Sequence, residues 1–144
     1  MKILFCLFLF SLISLSAYAE KIPDFTLLTH PANEKFHLQE KINGKKIVIN
    51  FWASWCPSCT KEVPELEALK AKYGHDVVFI AVNAGENTNS IDQFIQKTKY
   101  SFILLKDEGR IFTKSIGVVS IPITIVIDKD RNIVYRGTVP PKEL

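Results

Sequence analysis

The chain has 144 residues, 47% of them hydrophobic, and a formal net charge of +3. That composition suits one compact domain with its own core. The lysines are scattered, with no basic run longer than Lys45-Lys46, so no nucleic acid partner is expected.

Residues 1–19, MKILFCLFLFSLISLSAYA, differ from the rest: Lys2 gives a positive start, Ile3 to Ser16 form an apolar run, and Ala17-Tyr18-Ala19 is a small-x-small cleavage signal. That order predicts a secretory signal peptide over 1–19, followed by one domain over 20–144. The alternative is a retained membrane anchor, but the apolar run is shorter than the roughly 20 residues a spanning helix needs. Cys6 lies early in the run, far from the cleavage point, and does not read as a lipid-attachment cysteine. Membrane contact is expected only through this segment, if uncleaved.

From there the elements follow in order. IPDFTLL (22–28) reads as extended, and KFHLQEKINGK (35–45) as a short strand or turn closed by Asn43-Gly44. KIVINFWA (46–53) is a continuous apolar run rich in β-branched residues, the pattern of a central strand buried on both faces. Pro57 to Tyr73 is helical in pattern, with Val63, Leu66, Leu69 and Tyr73 on one side and Gly74 as its C-terminal stop. DVVFIAVNA (76–84) predicts a second buried strand, and NSIDQFIQKTK (89–99) a helix capped by Asn89 or Ser90. SFILL (101–105) is a third strand, DEGRIFTKSIG (107–117) holds a short helix, and ITIVIDKDRNIVYRG (123–137) is a hairpin. The order β-α-β-α-β-α-β-β predicts parallel crossovers and then an antiparallel hairpin, a three-layer α/β domain. GTVPPKEL looks like the entry to a further helix that the quoted sequence does not contain, so one face of the sheet is expected to be poorly covered.

Cys56-Pro57-Ser58-Cys59 falls between a buried strand and a helix. At the helix N-cap, Cys56 meets unpaired backbone N–H groups and the positive end of the macrodipole, which favour its thiolate, the attacking species. Pro57 suits the first helical position. Cys59, three residues on, lies on the same face and can resolve a mixed disulfide. The loop is so small that a purely structural disulfide would gain little. A structural zinc site is disfavoured: there is no second cysteine pair, and His30, His37 and His75 are dispersed. Transient copper binding by the thiolates remains a non-enzymatic alternative, although the chain after residue 19 contains no methionine to complete such a site.

FWASWCPSC resembles the active site of the thioredoxin superfamily, and the N-terminal pattern PDFTLL…FHLQEKINGKKIVINFWASWC resembles its exported TlpA/ResA/CcmG (DsbE)-like branch. The resemblance implies a thioredoxin-like α/β/α fold around a central mixed sheet, with the C-terminal helix missing from the quoted sequence. It makes Pro64 a kink in the active-site helix and Pro122, in GVVSIPIT, a cis-proline facing the dithiol. It implies substrate contacts from Trp55, Pro57, Ile121 and Pro122, with Trp52 packed beneath the active-site helix. Asn50 and Ile123 depart from the thioredoxin pattern: Asn50 stands where thioredoxin carries a buried aspartate, so proton transfer from Cys59 is expected to fall to Glu86, in NAGEN. The implied activity is that of a thiol-disulfide oxidoreductase, catalytic through Cys56, Cys59 and Glu86, needing neither cofactor nor metal. Its expected place is the periplasm or the extracytoplasmic membrane face, reducing protein disulfides such as that of apocytochrome c and drawing on a membrane thiol reductase. A DsbA-like oxidant is the enzymatic alternative, but the interval from Cys59 to Asp76 has no room for the helical insertion of that family.

Overall fold

The computed structural model describes residues 19–144; the expected signal segment, apart from Ala19, lies outside the described residues. The elements are β1 (Thr26–Thr29), β2 (Lys35–His37), α1 (Leu38–Ile42), β3 (Lys46–Trp52), α2 (Pro57–Tyr73), β4 (Val77–Asn83), α3 (Thr88–Thr98), β5 (Ile103–Lys106), a 3-10 turn (Glu108–Arg110), α4 (Ile111–Ser115), β6 (Ile123–Ile127) and β7 (Ile133–Gly137). Seven strands form one mixed sheet in the order β2-β1-β5-β4-β3-β6-β7. β3, β4 and β5 are parallel neighbours, while β6 returns antiparallel to β3 and β7 antiparallel to β6. The expected crossovers and closing hairpin are therefore present.

Successive side chains on a strand point to opposite faces, and that alternation divides the interior into two cores. Ile47, Ile49 and Phe51 of β3 join Ile80, Val82, Ile125 and Ile127 under α1 and α4. Val48 and Trp52 join Phe79, Ala81 and Val126 under α2 and α3. The alternation puts Asn50 on the α2 side, so this polar residue sits in the floor beneath the CPSC helix and is fully buried.

One local expectation is corrected. The N-cap of α3 is Asn87, not Asn89 or Ser90; its Oδ1 accepts the Ser90 amide at 3.0 Å. Gly74 ends α2 as expected, with φ −64°. It is needed for space, since a Cβ there would meet the Lys70 carbonyl oxygen at 2.6 Å. The extended segment predicted from residue 22 forms a ladder strand only from Thr26. Before it, residues 20–22 pair with the start of β7: Ile133 N–H donates to Glu20 O at 2.8 Å and Ile22 N–H to Arg131 O at 3.0 Å.

Residues 138–144 contain no helix and run against α2. Pro140 and Pro141 are buried, Leu144 packs on the α2 core, and Glu143 pairs with Lys72 at 2.8 Å and accepts from Tyr73. Part of the face expected to lie bare is thus covered by this tail.

Candidate active site

β3 ends at Trp52, and the four residues Ala53 to Cys56 lead to α2. The loop is tied from both sides: Ala84 N–H donates to Trp52 O at 2.9 Å and Cys56 N–H to Ala53 O at 3.2 Å. Cys56 is the N-cap of α2 with extended backbone, and Pro57 is the first helical residue, as the sequence predicts. Cys56 Sγ accepts the Cys59 N–H at 3.1 Å, satisfying one of the orphan donors of the first turn. The two cysteines are joined by a disulfide with their Cα atoms 5.3 Å apart. Both are buried.

The remaining candidates are distributed around this pair. The Ile121–Pro122 peptide is cis, as expected; a second cis bond, His30–Pro31, went unanticipated. Trp55 is 66% exposed and Trp52 is buried, stacked on Phe94 with ring centroids 4.1 Å apart. A groove of about 490 Å³ runs between Ser58, Lys61, Glu62 and Glu65 of α2 on one wall and Ser120, Ile121 and Pro122 on the other, closed below by Thr138 to Pro140. Pro57 and Trp55 do not line it. Trp55, Val119 and Val139 are exposed apolar side chains in the segments around it. A larger groove of about 610 Å³, between β1 and α4, contains none of the dithiol residues.

Glu86 occupies the loop after β4, where the sequence puts it, and its carboxylate is heavily engaged. It accepts from Ser54 N–H at 2.7 Å, from the Ser54 hydroxyl and from the Asn83 amide at 2.8 Å, while its own N–H donates to Asn83 Oδ1. These bonds clamp the β4 loop to the segment two residues before Cys56.

A second acid, which the sequence reading passed over, lies beneath the dithiol. Glu62, only 8% exposed, sits three residues after Cys59 on the buried side of α2, and residues so spaced are neighbours on a helix surface. Asn50 donates to its Oε1 at 2.7 Å. Burial pushes the Glu62 carboxyl up to about 7; the Asn50 hydrogen bond opposes the rise, and the nearby Glu65 charge adds to it. The signal was available in Asn50: with no acid on the strand, an acid at i+3 from Cys59 on the facing helix is the place to look. Among the described residues, no group of three or more His, Cys, Asp or Glu converges as a metal site requires.

Comparison with known proteins decides the family: the Redoxin family model matches residues 17–143. The chain belongs to the redoxin family. It is 33% identical over 130 residues to the thioredoxin-like protein YneN of Bacillus subtilis strain 168, covering 87% of this chain and 75% of that protein. It is 33% identical over 126 residues to the thiol-disulfide oxidoreductase ResA of Halalkalibacterium halodurans, covering 87% of this chain and 70% of the relative. Among solved structures it superposes on a Chlorobium tepidum protein described as a thiol:disulfide interchange protein DsbE, with a TM-score of 0.76 and 25% identity over 85% of this chain and 86% of the other. The fold is thioredoxin-like, and this redoxin is a thiol-disulfide oxidoreductase of the ResA/DsbE type that carries a bonded Cys56–Cys59 pair.

Proposed function

We propose that this redoxin is an exported reductant of protein disulfides, with Cys56 as nucleophile, Cys59 as resolving thiol and Glu62 as the group that takes the Cys59 proton. The observation that carries the reading is the burial of Glu62 one helical turn from Cys59, with a carboxyl poised near neutrality. A general base works best when its affinity for the proton matches the working pH. Glu86, whose oxygens already accept three hydrogen bonds, is assigned the positioning of the Ser54–Cys56 segment.

The cycle starts from the reduced dithiol. The Cys56 thiolate, favoured by the first-turn N–H groups, attacks one sulfur of the substrate disulfide and expels the other as a thiolate. Cys59 then gives its proton to Glu62 and attacks Cys56 Sγ. This closes the Cys56–Cys59 bond and releases the second substrate sulfur, which takes up the proton. Two electrons pass to the substrate. The groove between α2 and the Ile121–Pro122 loop accommodates an extended peptide, paired through the Ile121 backbone as an added strand and flanked by Ser58 and Lys61 of α2.

Export is supported by the signal pattern of residues 1–19. The TlpA-like resemblance supports an apocytochrome c haem-attachment disulfide as substrate and a membrane thiol reductase as electron source. The test is Cys59→Ser, which blocks resolution: in the exported compartment it is expected to accumulate a mixed disulfide through Cys56 with an apocytochrome. Absence of any trapped adduct overturns the exchange mechanism. A midpoint potential near the oxidising end of the superfamily's range of roughly −270 to −120 mV overturns the reductant direction.

A further inference from the structure

Tyr100 precedes β5 and is only 3% exposed, its ring packed against Phe102, Trp52 and Phe94. Its hydroxyl donates to Asn50 Oδ1 at 2.8 Å, and the Asn50 amide nitrogen donates in turn to Glu62 Oε1 at 2.7 Å and to Thr124 Oγ1 at 3.2 Å. A side-chain amide can turn through half a revolution, exchanging its oxygen and its NH2 group. In the turned form Asn50 would present its oxygen to Glu62 and Thr124 and its N–H to Tyr100.

Thr124 does not discriminate between the two forms, because a hydroxyl both donates and accepts. Tyr100 does. Burial drives its ionisation well above the ordinary tyrosine range, so it remains an O–H donor. Its recorded hydrogen bond is the one to Asn50. In the turned form that proton would be buried without an acceptor, a penalty of about fivefold or more in population. We propose that Tyr100 is a positioning residue: by occupying Asn50 Oδ1 it locks the amide with its N–H toward Glu62, and so decides that Glu62 meets a donor and not an acceptor. The catalytic consequence rests on the role proposed above for Glu62; the lock itself does not.

A donor facing Glu62 favours its ionised form, and an acceptor favours the protonated one. The charged groups sharing the Glu62 groove are Lys61 and Glu65, both on α2. β3 and β6 contribute only the neutral Asn50 and Thr124, and the segment before β5 contributes Tyr100. The Cys56–Cys59 pair lies one turn away on α2 itself. Removing the Tyr100 hydroxyl leaves all of these in place but frees the amide to turn, so Glu62 holds its proton to higher pH.

The experiment follows the Glu62 carboxyl by NMR in the oxidised full chain with carboxyl-13C glutamate, assigned with Glu62→Gln. In Tyr100→Phe, which keeps the ring packing, the Glu62 midpoint is expected to rise by about one pH unit. The pH profile of mixed-disulfide resolution should move by the same amount, and Tyr100→Phe should have no such effect in a Glu62→Gln background. An unchanged Glu62 midpoint in folded Tyr100→Phe overturns the lock. A midpoint that moves without moving the resolution profile upholds the lock and removes Glu62 from the proton-transfer role. In the unsubstituted protein the Asn50 side-chain amide protons should show NOE contacts to Glu62 and Thr124. Contacts from those protons to the Tyr100 hydroxyl overturn the lock without recourse to any variant.

Discussion

Glu62 is the residue at which burial and chemistry conflict most sharply. Its carboxyl titrates near 4.5 in an unfolded chain and near 7 in the folded one. Between those values the native state holds a proton that the unfolded state has released. The unfolded state then binds fewer protons, and stability falls as pH rises through the window. The oxidised protein is expected to lose about 2 kcal/mol between pH 4.5 and pH 7.5, less than the full linkage value because the carboxyl borders an open groove. Glu62→Gln should remove this slope, as read from urea midpoints across the pH range. It should also slow resolution of the mixed disulfide while leaving the attack by Cys56 intact. A slope that persists in the variant would place the titration elsewhere. Asn50 was legible in the sequence as a departure from the buried aspartate, but the burial of Glu62 against it was not. Glu62 lies among the charged residues of KEVPELEALK, and only the facing of β3 against α2 shows that this one charge points inward.

At the scale of elements, what could be read was set by how local the cause is. β3, β4 and β6 were evident because each is a predominantly apolar run rich in β-branched residues, and α2 because its cap, its Pro57 and its apolar stripe all fall within one stretch. The start of α3 was misplaced by two residues, since NTNS offers several capping residues and only the backbone fold selects Asn87. Asn87→Ala is therefore expected to cost about 1 kcal/mol, while Asn89→Ala costs a few tenths; thermal unfolding of the two variants side by side checks the assignment. Gly74 was correctly read as the end of α2, but that it lets the chain pass the Lys70 carbonyl shows only in the fold. Glu86 is a parallel case. Its position after β4 was correctly read, yet its partners, Ser54 and Asn83, come from two segments that only the folded sheet brings together.

For the molecule as a whole, the sheet is a partition between two cores with different duties. On one side Phe112 packs on Phe25 and Phe51, with centroids 4.0 and 6.0 Å away; on the other lie α2, the cysteines and the Tyr100–Asn50–Glu62 chain. Phe112→Ala is expected to lower global stability by about 3 kcal/mol and to leave the dithiol midpoint potential unchanged, since its ring partners Phe25 and Phe51 lie in the core opposite the cysteines. A potential that shifts with the stability would show the two cores to be coupled through the strands. The pairing of residues 20–22 with β7 has a mechanical consequence as well. β6 begins beside Pro122 and ends at Ile127, opposite Ile133, so Glu20 and Ile22 are stitched in at the pole of the sheet farthest from the cysteines. A load applied at Glu20 is taken up by the β7 edge before it can reach α2. A surface that grips the protein there would hold it by the heel, with the dithiol end turned outward to meet a partner.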